Sequence, residues 1–260
     1  MSNASGRILG EFLRSRREKL DPQSVGLGVG RRRRTPGLRR EDVAERAGIG
    51  VDWYIRLEQG RAVRPSAATI DALAEALRLT KAEHLHLRAL ADTAHQRRFV
   101  REKVPPAIAR LVEGINLPAY ITGRRWDVLA WNAPADALFG FSRYRAEDRN
   151  ILLCMLTTGE ARRLFGKTWA AEAKRLLALF RATHDLWAGD PAFADLLDRL
   201  RSGCPEFETW WARHEVGVTR AGEKSLVSKK HGTLRLQYAT FQSNDMPDLR
   251  LAIYGFADPR

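Results

Sequence analysis

The stretch Arg39–Gly60, RREDVAERAGIGVDWYIRLEQG, constrains this chain more than any other. From Arg39 to Ala47 the apolar residues Val43, Ala44 and Ala47 recur at helical spacing and give one narrow buried face. Gly48-Ile49-Gly50 then supplies a tight turn with two residues free to take positive φ. A second short helix follows with Tyr54 and Leu57 inward, and Gln59-Gly60 ends it where a terminating glycine belongs. Two short helices joined by a glycine turn have the spacing of a helix-turn-helix, whose second helix enters the DNA major groove.

At 260 residues the length favours two modest domains over one. The formal charge of +13 is unevenly spread: residues 1–101 hold 21 Lys and Arg against 12 Asp and Glu, and residues 102–260 hold 23 against 19. A basic N-terminal half implies a polyanionic partner, although charge alone suits RNA or an anionic membrane equally. Six of the seven tryptophans, from Trp126 to Trp211, lie in the second half, enough to build an aromatic core or line a cavity. Cys154 and Cys204 are expected as reduced thiols. No apolar run reaches the ~18 residues of a membrane span, no signal-peptide pattern opens the chain, and the expected compartment is the cytoplasm.

Residues 37–79, with GLRREDVAERAGIG, VDWYIRLEQGR and PSAATIDALAEALRL, resemble the Xre (lambdoid-repressor) helix-turn-helix family. That family usually caps each helix with a hydroxyl residue, whereas Arg39 and Gly50 stand at those points here. Glycine is tolerated as a cap; arginine is not one. The pair Arg39-Arg40 opposes the helix dipole and calls for an anion, either a DNA phosphate or the neighbouring Glu41 and Asp42. By their position in the family motif, Val51, Asp52, Ile55 and Arg56 face the major groove. There an arginine suits a guanine edge, a carboxylate a cytosine amine, and an apolar group a thymine methyl. The alternatives are plain surface for Asp52 and Arg56, and core for Ile55. Arg39, Arg40, Arg61 and Arg64 sit at helix ends and suit phosphate oxygens. The run Arg31, Arg32, Arg33 and Arg34, in a glycine-rich connection, reads as a DNA-gripping arm or else as a solvated tail.

Around this motif, a first helix over about 6–20 carries Ile8, Leu9, Phe12 and Leu13 on one face. Ser66 caps a helix whose Ile70, Leu73, Ala74 and Leu77 close the small core. Thr80 and Glu83 form a capping box opening a fifth helix that reaches about Ala91. His84 and His86 read as surface histidines and not as metal ligands, since residues two apart on a helix point different ways. A polar, basic linker ends at Pro105-Pro106, which start a new helix. The period then changes to two. Strands are expected over 119–122 and 126–131 about a Gly123-Arg124-Arg125 turn, followed by a short helix from Asn132 to Phe139. Residues 149–216 are helical in pattern, and strands return over 225–228, 233–242 and 249–256. Leu234, Leu236 and Tyr238 alternate with Arg235 and Gln237, and Leu249, Leu251 and Ile253 with Arg250 and Ala252. These sheets are therefore expected to have one buried and one wet face.

A strand pair, helices and a closing group of antiparallel strands resemble a PAS-like sensor. More narrowly, LPAYITGRRWDVLAWNAPADALFG, FETWWARHEV and GTLRLQYATF resemble the MmyB-like ligand-binding domain of bacterial regulators. Where that family commonly has a His-Pro pair before the LRLQY-type strand, this chain has Ser228-Lys229, so no ligand role of that histidine carries over. Phe207, Trp210, Trp211 and His214 fall on one helix face, as core or as pocket wall. The resemblance implies fatty-acid-like ligands. An acyl chain is accordingly expected among Trp131, Leu138, Trp210, Trp211, Leu236 and Tyr238, with its head group on His214 or Arg213. No nucleophile elbow, Walker loop or Cys/His metal spacing is present, so neither an enzyme, a cofactor nor a metal is expected.

The chain thus reads as two domains: an all-α, five-helix helix-turn-helix domain over 6–92, a linker over 93–105, and an α+β PAS-like sensor domain with an antiparallel sheet over 106–257. The expected function is a transcriptional regulator that binds a double-stranded DNA operator as a homodimer and answers to an apolar, fatty-acid-like small molecule. Two alternatives stay open: a small-molecule-modifying enzyme carrying a DNA-binding head, which would show a polar catalytic cluster in its pocket, and a C-terminal protein-interaction module with a filled core, an exposed apolar patch and no small-molecule ligand.

Overall fold

Thr80 and Glu83 cap the start of a helix over Lys81–Ala91 reciprocally. The Thr80 amide donates to Glu83 Oε2 at 2.8 Å, and the Glu83 amide to Thr80 Oγ1 at 3.3 Å. Ser66 opens Ala67–Ala76 with its hydroxyl, which accepts from the Thr69 amide at 3.1 Å. At Arg40–Arg46 the bond runs as from the Thr80 amide to Glu83. Arg39 caps with its backbone alone, its amide donating to Asp42 Oδ2 at 2.7 Å. Of the two anions expected beside this arginine pair, the intramolecular carboxylate is therefore in place.

The computed structural model describes residues 4–27, 37–61, 65–91, 98–187, 189–217, 221–228 and 232–257. Its chain forms two units, each assembled from separate segments: Met1–Arg98 with Phe180–Ala194 and Ala212–Val216, and Phe99–Leu179 with Asp195–Trp211 and Gly217–Arg260. In the first unit lie α1 (Ala4–Lys19), α2 (Arg40–Arg46), α3 (Val51–Glu58), α4 (Ala67–Ala76) and α5 (Lys81–Ala91). Phe12 and Leu13 of α1, Val43 of α2, Tyr54 and Leu57 of α3, Leu73 of α4 and Leu87 of α5 meet in one buried core.

The backbones of α1 and the end of α3 approach closely enough to require glycine on both sides. Gly60 ends α3 with φ 67°, and a Cβ there would lie 2.7 Å from the Arg7 Cα. A Cβ on Gly10 would collide with the Glu58 carbonyl oxygen. Beside this crossing, Arg17 forks Glu58: Nε donates to Oε2 and Nη2 to Oε1, each at 2.8 Å. The Glu58 side chain is 1% exposed and that of Arg17 6%. Arg17 Nη1 also donates to the Leu38 carbonyl at 2.9 Å, and Arg40 of α2 joins Glu58 Oε1 at 2.9 Å.

His86, expected at the surface, is 4% exposed and donates from Nε2 to Asp185 Oδ2 at 3.1 Å. Its ring packs edge-on against Phe12 at 5.0 Å. The apolar residues of α5 leave His86 on the inward side, and the neighbouring carboxylate is what makes burial of an imidazole tolerable. His84 is paired instead with Asp71 at 2.7 Å.

The second unit holds α6 (Pro106–Glu113), β1 (Ala119–Thr122), β2 (Val128–Trp131), α7 (Ala133–Phe139), α8 (Ile151–Thr157), α9 (Gly159–Phe165), α12 (Phe207–Trp211), β3 (Gly222–Ser228), β4 (Gly232–Gln242) and β5 (Arg250–Phe256). Two further helices, α10 (Trp169–Leu186) and α11 (Pro191–Gly203), are divided between the units. Asn132 caps α7 by accepting from the Ala135 amide at 3.0 Å. The five strands form one antiparallel sheet in the order β2-β1-β5-β4-β3.

One expectation holds only in part and another fails. On β4 the alternation is as expected, with Leu234 and Leu236 buried and Arg235 and Gln237 exposed, but the sheet has no wet face at its centre. On β1 and β5, Tyr120, Thr122, Ala252 and Tyr254 are buried on one side, while Ala119, Ile121, Leu251 and Ile253 pack with Val112 and Ile108 of α6 on the other. Alternation of leucine with alanine and arginine misleads because α6 covers the side opposite the longer helices. The stripe Phe207-Trp210-Trp211-His214 is also broken. Helix α12 stops at Trp211, and His214 has φ 50°, which takes it off that face.

Burial alone would raise the carboxyl pKa of Glu58, but the hydrogen bonds and charges of Arg17 and Arg40 outweigh it and hold it below the usual range. Its stabilising contribution is thus complete above the ordinary glutamate value, ~4.3, and is lost as the pH falls towards the depressed one. Glu58→Ala, which strands Arg17 in the core, is expected to lower the unfolding free energy by about 3–5 kcal/mol. Urea denaturation at neutral pH checks this.

Candidate DNA interface and ligand cavity

Gly48, with φ 64° and open space where a Cβ would point, turns the chain from α2 towards α3. On α3, Tyr54, Leu57 and Glu58 are buried, so the helix keeps one side inward. Asp52 and Arg56 are exposed, and Val51 and Ile55 are half-buried. Val51 and Trp53 pack on the rim of the core. Of the helix-end arginines, Arg39 and Arg61 are exposed, while Arg40 is tied to Glu58. Arg64 and the run Arg31, Arg32, Arg33 and Arg34 lie outside the described residues. The structure therefore brings Asp52 and Arg56 to one outer helix face, with Arg39 and Arg61 at the ends of α2 and α3.

In the second unit a cavity of about 360 Å³ is lined by Leu138 and Phe139 of α7, Met155 of α8, Leu164 and Phe165 of α9, and Tyr254 of the sheet. A smaller one, about 70 Å³, is lined by Arg175 and Leu179 of α10 and by Lys224, Tyr238, Arg250 and Tyr254 of the sheet. Tyr120, Ile151, Leu176, Lys224 and Tyr254 line both. The Tyr120 and Tyr254 hydroxyls are bonded to each other at 3.1 Å. Burial pushes the Tyr254 phenol up to about 12 and that of Tyr120 well above its ordinary value, so both stay neutral.

The expected acyl-chain residues separate. Leu138 lines the larger cavity and Tyr238 the smaller. Leu236 is buried in β4. Trp131 packs at 6.1 Å against Phe141 and carries the Arg149 guanidinium 5.0 Å above its ring. Trp210 sits 5.5 Å from Trp169, and Trp211 stacks 5.6 Å from Phe207. Arg213 and His214 belong to the first unit. Lys224 went unnoticed as a cavity residue. The signal was present: Lys224 and Leu226 are two apart on a strand and so share its inward face.

Residues 104–259 match the model of the MmyB-like transcription regulator ligand binding domain, and residues 8–87 that of a helix-turn-helix domain. The chain belongs to the family of MmyB-like transcription regulators. No curated protein matches it. This MmyB-like regulator thus joins a DNA-binding helix-turn-helix to a ligand-binding domain made of helices and a five-stranded antiparallel sheet. Both matched families are regulator domains and neither is an enzyme family. Among the described residues, no helix is long and apolar enough to cross a membrane, and no group of three or more His, Cys, Asp or Glu is placed to hold a metal ion.

His214 of the MmyB-like regulator lies in a cationic polar cluster of the first unit. Arg181 Nη1 is 3.3 Å from its Nδ1, and the Arg16 guanidinium donates to its carbonyl. Arg16 in turn pairs with Glu83 at 2.8 Å, and Arg181 with Asp185 at 3.9 Å. Burial first, and then the Arg181 charge, lower the His214 pKa to about 4. An unfolded histidine titrates near ~6.5, so between those values the unfolded chain binds a proton that the folded chain does not. Stability is expected to fall as the pH drops from ~6.5 to about 4. His214→Asn, which tolerates the left-handed backbone, should give a flatter melting-temperature profile over that range.

Proposed function

We propose that this MmyB-like regulator reads a double-stranded DNA operator with the outer face of α3 and responds to an apolar, fatty-acid-like ligand held in the larger cavity. The observation that carries the ligand half is the cavity itself: about 360 Å³, with Leu138, Phe139, Met155, Leu164 and Phe165 among its walls and Arg143, Glu160, Arg163 and Lys224 as charged groups on its lining. A protein-interaction module would instead fill that space with side chains. The PAS-like reading of the domain rests on the five-stranded antiparallel sheet with helices against it. The DNA half is supported by the exposure of Asp52 and Arg56 on a helix whose opposite side is buried. Val51 and Ile55, half-buried, supply apolar contact, and Arg39, Arg40, Arg61, Arg64 and the Arg31–Arg34 arm supply phosphate contact.

The working form is a cytoplasmic homodimer, because paired recognition helices read half-sites about one helical turn of DNA apart. Ligand acts by binding one arrangement of the two reading heads more tightly than another, since equal affinity for both would shift nothing.

Arg56→Ala is expected to weaken binding by ~1–3 kcal/mol at one base position and to relax discrimination there. Binding measured across single-base operator variants checks this; a uniform loss would make Arg56 a phosphate contact. Deleting Arg31–Arg34 should flatten the dependence of affinity on salt concentration, and an unchanged slope would count against the arm. Extraction of the purified protein should yield a stoichiometric apolar small molecule that raises the melting temperature when added back. Finding none, with no apolar compound raising it, overturns the ligand half.

A further inference from the structure

We propose that Lys224 of β3 holds the anionic head group of the fatty-acid-like ligand where the two cavities meet. This rests on the ligand-binding reading above and adds the residue that receives the polar end.

Lys224 is 8% exposed and lines both cavities. Its ammonium has three donors and no acceptor capacity. Among the described residues, the carboxylate that reaches it is Glu172, 3.5 Å away, longer than the ~2.7–2.9 Å of a charged hydrogen bond. It also lies over aromatic faces, with the ring centre of Tyr238 at 4.6 Å, that of Tyr254 at 5.6 Å and that of Phe165 at 5.9 Å. Glu172 is meanwhile engaged by Arg175 at 3.0 Å. Arg250 also lines the smaller cavity, and its side chain makes no ion pair among the described residues. Lys224, Arg175 and Arg250 thus line one cavity, and among the described residues Glu172 is the carboxylate paired with the first two.

An excess of buried cation is costly in a poorly solvated site and is relieved when an anion enters. The two phenols cannot provide it, because they remain neutral and are bonded to each other. The cavities also differ in the right sense. The smaller carries the three cations; the larger has the apolar side chains of Leu138, Phe139, Met155, Leu164 and Phe165, with the exposed Arg143, Glu160 and Arg163 also on its lining. An amphiphile with its charged end at Lys224 and its chain running past Leu138 and Phe165 satisfies both. A carboxylate and a phosphate monoester share this chemistry.

The test uses the full chain and three probes of equal chain length: dodecanoate, dodecyl phosphate and dodecanol, with affinities measured by calorimetry. The wild type should bind one or both anions roughly tenfold or more tighter than dodecanol, the weight of one charged hydrogen bond. Whichever anion binds tighter names the head group. Lys224→Met should erase that preference, and Lys224→Arg should keep it. A Lys224→Met protein that folds and retains the preference overturns the assignment of Lys224 and leaves the apolar-ligand reading standing. Dodecanol binding as tightly as the anions overturns the anionic head group. Binding of none of the three overturns this proposal and the ligand reading together. If Lys224→Met does not fold, Arg250→Met reads the same charge excess: a reduced preference supports the proposal, and an unchanged one overturns it.

Discussion

Three elements of the DNA-binding head converge on one carboxylate. Glu58 is the last residue of α3, and it is held on both oxygens by Arg17 of α1 while Arg40 of α2 shares one of them. Apolar burial supplies most of the driving force in such a small core but has no direction. A forked arginine–carboxylate pair does, because donors and acceptors must lie in one plane. The pair is positioned by the close crossing at Gly10 and Gly60, where neither backbone leaves room for a side chain. Tyr54 and Leu57 then face inward on α3, and Asp52 and Arg56 are left outward. The face offered to a partner follows from what its opposite side is fastened to.

The ligand-binding domain is organised by a different constraint, a sheet covered on both sides at its centre. Residues of odd parity on β1, Ala119 and Ile121, meet α6, and those of even parity, Tyr120 and Thr122, face the cavities. A strand buried on both sides has no polar face to reveal its register. The aromatic side chains on the cavity side are mutually engaged, as Tyr120 with Phe139 at 5.8 Å, Phe141 at 5.2 Å and Tyr254 at 6.0 Å. They wall the space and do not fill it. Tryptophan count was a poor guide to the cavity for the same reason: Trp131, Trp210 and Trp211 are spent on packing against other rings.

Local signals carried most of the helix-turn-helix. Capping by Ser66, the Thr80–Glu83 box, the Gly48 and Gly60 terminators and the inward spacing of Tyr54 and Leu57 are all relations among residues a few positions apart, and each appears where its pattern implies. The same holds for the strands β1 and β4 and for the Asn132 cap of α7. The failures involve partners far apart in the chain. His86 is buried because Asp185, 99 positions away, receives it. His214 leaves its helical stripe because the backbone turns left-handed after α12.

The sequence by itself therefore determined the two-part plan, the helix-turn-helix with its inward and outward residues, and the succession of strands and helices behind it. Those features follow from periodicity, caps and turn residues, which act over one or two turns of chain. Only the tertiary structure decided which side chains enclose a cavity. Lys224, Arg175 and Arg250 come from β3, α10 and β5, and nothing local marks them as neighbours. Their proximity is a product of sheet order and helix packing, and so is the charge excess that an anion would balance.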